Sequence, residues 1–254
     1  MTAVAAPPAL AVRGATKRFG GVLALDGVDL AVHYGEVLAL LGDNGAGKST
    51  LIKCMSGAYR LDEGTIEMDG APVDIHSPGE ARALGIETVY QDLALFDNLS
   101  PVANFYAGRE LSGPSWLPRG LRFLRTGAMT KATTEVLDRL QVSLPDIDIN
   151  VGLMSGGQRQ AVAVARSAAF ASKVVILDEP TAALGVREAR RVLDLVIRLR
   201  AENHAVIVIS HALDHVIEIA DRAVVMRRGR TVGEAVPTLE NRQRIVSLIV
   251  GGEG

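Results

Sequence analysis

Two periodicities divide the chain. In the first third, apolar and polar positions alternate over short runs: ALAVRGATKRFGG (9–21), VLALDGVDLAV (22–32) and GTIEMDGAPVDI (64–75). Each is bounded by Gly, Asp or Pro, which predicts strands. EVLALLG (36–42) is continuously apolar, the mark of a strand covered on both faces, and KSTLIKCMSGAY (48–59) reads as the helix after it. From about 92 to 170 the pattern becomes helical. MTKATTEVLDRL sets Met129, Val136, Leu137 and Leu140 near one face, and GQRQAVAVARSAAF reads as a small-residue helix packed closely on its neighbours. From Lys173 onward strands and helices alternate: VVIL, REARRVLDLVIRLRAE, AVIVIS, DHVIEIAD and AVVMRRG.

Strand–helix alternation predicts a largely parallel α/β sheet, with the helical middle as an insertion. The expected organisation is a single domain over 1–254, its core built from 1–91 and 171–254 and its helical part from 92–170. No motif occurs twice, so a tandem repeat is not expected.

Composition narrows the partners. The chain is 48% hydrophobic and 22% charged with a formal net charge of -2, which leaves no electrostatic footprint for nucleic acid. No run approaches the roughly 18 apolar residues of a membrane span. The start, MTAVAAPPALAVRG, has no basic segment ahead of its apolar stretch, so a secretory signal is not expected. Cys54 is the only cysteine; intrachain disulfides are excluded, a cytoplasmic setting fits, and the expected role is a small core residue.

The chemistry starts at GDNGAGKST (42–50), which fits G-x-x-x-x-G-K-[ST] between a predicted strand and a predicted helix. In such a loop Gly42, Asp43, Asn44, Gly45, Ala46 and Gly47 turn backbone N–H groups toward phosphate oxygens, and the helix start at Lys48, Ser49 and Thr50 adds partial positive charge. Lys48 is expected on the β- and γ-phosphates and the Ser49 hydroxyl on Mg²⁺. A nucleoside triphosphate is therefore the expected ligand. DEPTAALGV (178–186) ends the VVIL run on two carboxylates. Asp178 is placed for the metal, and Glu179, one residue on, for orienting or deprotonating the attacking water. No Asn-Lys-x-Asp guanine reader accompanies them.

MSGGQRQ (154–160) then precedes the small-residue helix. With it the chain resembles the ATP-binding subunits of ABC transporters, whose signature reads Leu-Ser-Gly-Gly-Gln. The resemblance covers essentially the whole chain. It implies an ABC-type P-loop core sheet, an N-terminal antiparallel β subdomain and an inserted α-helical subdomain. Phe19 in KRFGG matches the aromatic that stacks on adenine; its other reading is a core aromatic. Gln91 in VYQD matches the glutamine that contacts the metal and links core to helical subdomain. His211 in VISHALDH matches the histidine that contacts the γ-phosphate. Ser155, Gly156, Gly157 and Gln158 then form a second anion site that closes on ATP held by another subunit. The implied mechanism is an ATP-driven clamp between two head-to-tail subunits, a homodimer or a pair of paralogues, coupled to a polytopic permease. The location implied is peripheral, on the cytoplasmic face of the membrane.

GDNGAGKST, GIETVYQDLALFDNLS, GGQRQAVAVARSAAF and DEPTAALGV are similar to the fructose- and ribose-type monosaccharide importers, which implies an extracytoplasmic sugar-binding protein as an indirect partner. The competing readings are an importer subunit for another solute, and a soluble ABC-type ATPase such as one for cluster assembly. Four smaller expectations complete the reading. His211 and His215 have the i, i+4 spacing of a metal pair, but the context favours the γ-phosphate role for His211 and a solvated helix position for His215. His33, His76 and His204 are expected at the surface. Trp116 and Phe123 in SGPSWLPRGLRFL are expected to pack the edge of the helical subdomain, with a docking surface as the alternative. Gly185 stands where many ABC ATPases carry Asp, so any signal between the two sites must use backbone or neighbours such as Ala183.

Overall fold

A computed structural model describes residues 6–114, 116 and 123–251. Strands β1 (Leu10–Phe19), β2 (Val22–Val32), β4 (Glu63–Met68) and β5 (Ala71–Val73) form an antiparallel sheet in the order β2-β1-β4-β5. A second sheet runs β12 (Arg230–Ala235), β11 (Arg222–Arg227), β3 (Val37–Leu41), β10 (Ala205–Ile209), β9 (Val174–Asp178) and β6 (Ile86–Val89). Every pairing in it is parallel except β11 with β12.

The continuous apolar runs have a simple cause. In β9, Val174 and Ile176 join the core shared with the antiparallel sheet, while Val175 and Leu177 face the helices on the opposite side. In β10, Ala205, Ile207 and Ile209 go one way and Val206 and Val208 the other. Successive side chains of a strand point to opposite faces, so a strand covered twice has no polar position to spare. Each fully buried Val, Leu or Ile stabilises by about 1.5–3 kcal/mol, so these central strands are a rigid base for whatever follows them.

Helices α1 (Lys48–Met55), α2 (Pro78–Ala83), α7 (Leu213–Ile219) and α8 (Arg242–Val250) accompany the sheets. Between β6 and β9 come α3 (Pro101–Tyr106), a two-stranded pair β7 (Ser112–Gly113) and β8 (Phe123–Leu124), α4 (Thr126–Arg139) and α5 (Gly156–Phe170). The small-residue helix packs as its composition implies: Ala163, Ala165 and Ala168 of α5 are buried, so neighbouring backbones come close. Helix α6 (Val186–Ala201) buries Ala189, Val192, Leu193, Val196 and Leu199, a stripe at helical spacing, and Leu193, Leu195, Val196 and Leu199 join the same cluster.

Cys54 is buried, and burial pushes its thiol up to about 11, so it is an unreactive part of the core. Trp116, Phe123 and His204 depart from expectation. Trp116 and Phe123 do not pack an edge: they are 79% and 76% exposed. Among the described residues no second layer covers the short β7–β8 pair or the segment carrying Trp116. His204 is not a surface residue either. It is largely covered just before β10, and burial holds its imidazole below the usual histidine range, against the opposing pull of Glu202. His33 and His76 are exposed.

Candidate active site

Parallel strands that share a sheet also share a carboxyl edge, and the crevice outside that edge is where α/β folds place their chemistry. Leu40 of β3 is level with Ile209 of β10, and Ile209 with Asp178 of β9; Leu177 is level with Val89 of β6. The segments that follow these strands therefore converge. Asn44 to Thr50, Gln91, Asp178, Glu179 and His211 line one cleft of about 420 Å³, whose mouth is formed by Val22–Ala24 of β2. Asp43 lines the adjoining concavity with Gln91, Glu179 and His211. Gly42 lies behind, contributing its carbonyl.

The loop ends at Gly47, the residue before α1, in a left-handed conformation (φ 104°, ψ -3°). A Cβ there would lie 2.7 Å from the Ala24 carbonyl oxygen, so backbone conformation and space both require glycine. The first N–H groups of α1 have no partners within the helix. Lys48 is buried, and its Nζ donates to the carbonyls of Gly42 (2.7 Å) and Asp43 (3.0 Å). Burial lowers its pKa, while the carboxylates of Glu179, Asp178 and Asp43 pull the other way.

Glu179 adopts φ 51°, a left-handed conformation for a side chain that gains nothing from it, at a cost of about 1–3 kcal/mol. Its own N–H is fixed to the Ile209 carbonyl at 3.0 Å. Oε2 accepts from the His211 backbone N–H at 3.4 Å, whereas Oε1 is buried with no hydrogen-bond partner, although His211 Nε2 stands 3.2 Å away. A buried acceptor left open costs about 1–3 kcal/mol and suits an incoming O–H donor. Burial also pushes both carboxyls upward. For Asp178 the charges of Lys48, Lys53 and His211 oppose it; for Glu179 the His211 charge and N–H oppose it while Asp178 adds to it.

Among the described residues no group of three His, Cys, Asp or Glu is arranged to hold a metal by itself. The Ser49 hydroxyl, Gln91 amide and Asp178 carboxylate do share the cleft. That oxygen-donor set fits a hard cation such as Mg²⁺, which keeps waters and takes its other ligands from phosphate. The two histidines at i, i+4 are not a pair: His211 faces Glu179, and His215 Nδ1 meets Thr181 Oγ1 at 3.0 Å. His215 is thus half-buried and tied to the loop after β9, not a solvated helix residue.

Three features were not legible in the motifs. Phe19 is 42% exposed, which removes its core reading, and Tyr59 meets it edge to face at 5.2 Å while Lys17 lies 5.6 Å over its ring. Phe19 pairs with Val22, a residue of the cleft mouth. After Gln91 the chain takes two consecutive left-handed residues, Leu93 (φ 61°) and Ala94 (φ 46°). Arg166 of α5 clamps that turn, donating to the Ala94 carbonyl at 2.8 Å and the Leu93 carbonyl at 3.0 Å. Beyond it the buried Asn104 accepts from the Phe96 N–H and donates to the carbonyls of Phe96, Leu99 and Ser100.

Ser155 to Gln158 stand apart. Ser155 caps α5: its hydroxyl oxygen accepts from the Gln158 N–H at 3.3 Å, and the Gln158 side chain accepts from the Ser155 N–H at 2.9 Å. Ser155, Gly157 and Gln158 line a different cavity, beside α6, and none of the four lines the cleft.

The profile of the ABC transporter family matches residues 25–182. The chain belongs to the ABC transporter family. As an ABC ATPase it binds and hydrolyses ATP. It is 50% identical over 251 residues to the fructose import ATP-binding protein of Rhizobium meliloti, covering 98% of this chain and 96% of that protein. A ribose import ATP-binding protein of Rubrobacter xylanophilus is 46% identical over 244 residues, and the chain spans 47% of its length. The crystal structure of a nucleotide-free ATP-binding cassette from an ABC transporter superposes with a TM-score of 0.80 at 27% identity, covering 96% of this chain and 97% of that one. Among the described residues no helix is long and apolar enough to cross a membrane.

Proposed function

We propose that the chain is the ATP-hydrolysing subunit of a monosaccharide importer, acting as a pair of cassettes on the cytoplasmic face of the membrane beneath a polytopic permease. The 50% identity to a fructose import ATP-binding protein across 98% of the chain carries this reading. An extracytoplasmic sugar-binding protein would deliver the solute.

In this reading Lys48 exchanges its two carbonyl partners for phosphate oxygens, and the N–H groups of the glycine loop and the α1 start surround the same phosphates. Mg²⁺, held by Ser49, Gln91 and Asp178, supplies charge neutralisation on the phosphates when bound. Glu179 accepts a proton from the attacking water through the open Oε1, and His211 meets the γ-phosphate while holding Oε2 from its backbone. Phe19, its ring braced by Tyr59, takes the adenine. The separation of Ser155–Gln158 from the cleft supports a second chain supplying them. Since the Ser155 oxygen already accepts from Gln158, its hydroxyl hydrogen is free for a phosphate oxygen of the partner's nucleotide.

The test is uptake of labelled fructose, ribose, xylose and arabinose in cells lacking this chain, complemented with wild type or Glu179→Gln. Loss of uptake of one sugar, restored by wild type alone, is expected. Unchanged uptake of every sugar would refute import of this class.

A further inference from the structure

The loop after Glu179 and the start of α5 meet at a single side chain. Glu188, in the first turn of α6, lies across two glycines from different parts of the sequence. A Cβ built on Gly157 would sit 2.5 Å from its Cγ and 2.7 Å from its Cβ; one built on Gly185 would sit 2.6 Å from its Oε2. Real Cβ atoms do not approach that closely, so the stem of Glu188 fills the space of the side chain missing at Gly157, and its carboxylate tip stands where one at Gly185 would start. Leu184 approaches Gly156 alongside, 3.6 Å from where a Cβ would be. Gly185 itself is extended (φ -66°, ψ 164°), a conformation open to any residue. What glycine provides there is room for the Glu188 carboxylate, not backbone freedom. That carboxylate is at a helix N-terminus, where negative charge is favoured.

We infer that Glu188 is a positioning residue that locks Ser155–Gln158 to the loop following Glu179, so that the two move as one body. The inference rests on the two-chain reading above, in which the first segment serves the partner's nucleotide and the second serves the chain's own. Hydrolysis in one site would then be felt by the other through this packing, with no carboxylate needed at 185. It also couples residues 185 and 188: an acidic side chain at 185 would displace the Glu188 carboxylate, with like charges repelling as it does so.

The test compares Glu188→Ala, Glu188→Gln, Gly185→Asp and the double variant Gly185→Asp/Glu188→Ala in the purified full chain. ATP affinity under non-turnover conditions, kcat, the Hill coefficient for ATP and the thermal midpoint are read for each. Glu188→Ala is expected to keep wild-type ATP affinity and midpoint, lose kcat by roughly tenfold and bring the Hill coefficient toward unity. Glu188→Gln, of the same shape, keeps most of kcat. Gly185→Asp loses activity alone and recovers it when Glu188 is removed. Unchanged kcat and Hill coefficient in Glu188→Ala, or purely additive effects in the double variant, would overturn the inference. Ser155→Arg is the control that separates the two claims. If it abolishes turnover while Glu188→Ala does not, only the role of Glu188 falls; if it leaves turnover intact, the two-chain reading falls and this inference with it.

Discussion

Replacing Arg166 by alanine removes the clamp on the segment that carries Gln91. The guanidinium makes two hydrogen bonds, at 2.8 and 3.0 Å, to adjacent carbonyls. Hydrogen bonds to a charged group contribute about 1.5–3 kcal/mol each. The Ala94 carbonyl is exposed and water can replace its donor, so only the half-buried Leu93 carbonyl loses its full share. Against this, the two left-handed residues are free to relax, returning about 1 kcal/mol apiece. The net loss is therefore small for the whole fold, at most about 1 kcal/mol, or a fall of no more than about 4 °C in Tm for a chain of this size. The local effect is larger. Amide exchange over 91–96 should accelerate strongly, and kcat should fall while ATP affinity holds, because Lys48 and the glycine loop are untouched. Arg166→Lys should behave like a half-measure, since an ammonium is a point charge without the fork that reaches two carbonyls. Thermal melts, hydrogen exchange and steady-state ATPase rates check this. An Arg166→Ala protein with unaltered exchange at 91–96 and unaltered kcat would refute the reasoning.

Other consequences follow from the same site. Lys48→Ala should weaken nucleotide binding by at least about tenfold, because the charge aimed at the phosphates is lost, and calorimetry reads it directly. The pH dependence has a definite sign. Burial raises the Glu179 carboxyl in the free chain, so kcat/KM for ATP should fall as pH drops through a value above the ordinary glutamate range, and Glu179→Gln should lack that limb. For stability the same upward shifts at Asp178 and Glu179 work against the fold at neutral pH and are relieved by protonation. Tyr59→Ala should raise KM for ATP with little change in kcat, since it frees the Phe19 ring without touching the phosphates.

Much of the fold is legible in the sequence. The unbroken apolar runs of β3, β9 and β10 announced a doubly covered parallel sheet, and the glycine loop between strand and helix is a local pattern whose geometry needs no distant partner. Asp178 and Glu179 were legible for the same reason, being the end of a buried strand. What escaped depends on contacts far apart in sequence. Tyr59 reaches Phe19, Arg166 reaches Leu93 and Ala94, and His215 reaches Thr181 only after the sheets and helices have packed. His204 sits beside an apolar strand, which a residue-by-residue reading treats as surface and the fold covers. Trp116 and Phe123 differ in the opposite sense, exposed where packing is expected, because hydrophobicity alone does not say whether a second layer exists to receive it. Gly185 is the subtlest case: the missing carboxylate was apparent, but not that Glu188, three residues on, fills the space.

In the proposed function two chains share each ATP and Glu179 turns it over. Glu179→Gln, purified and given ATP with Mg²⁺, tests both through light scattering and nucleotide analysis of the same sample. The expected result is a stable dimer retaining unhydrolysed ATP, with turnover at most about one-hundredth of wild type. A variant that hydrolyses ATP at the wild-type rate, or that holds ATP as a monomer, would contradict it.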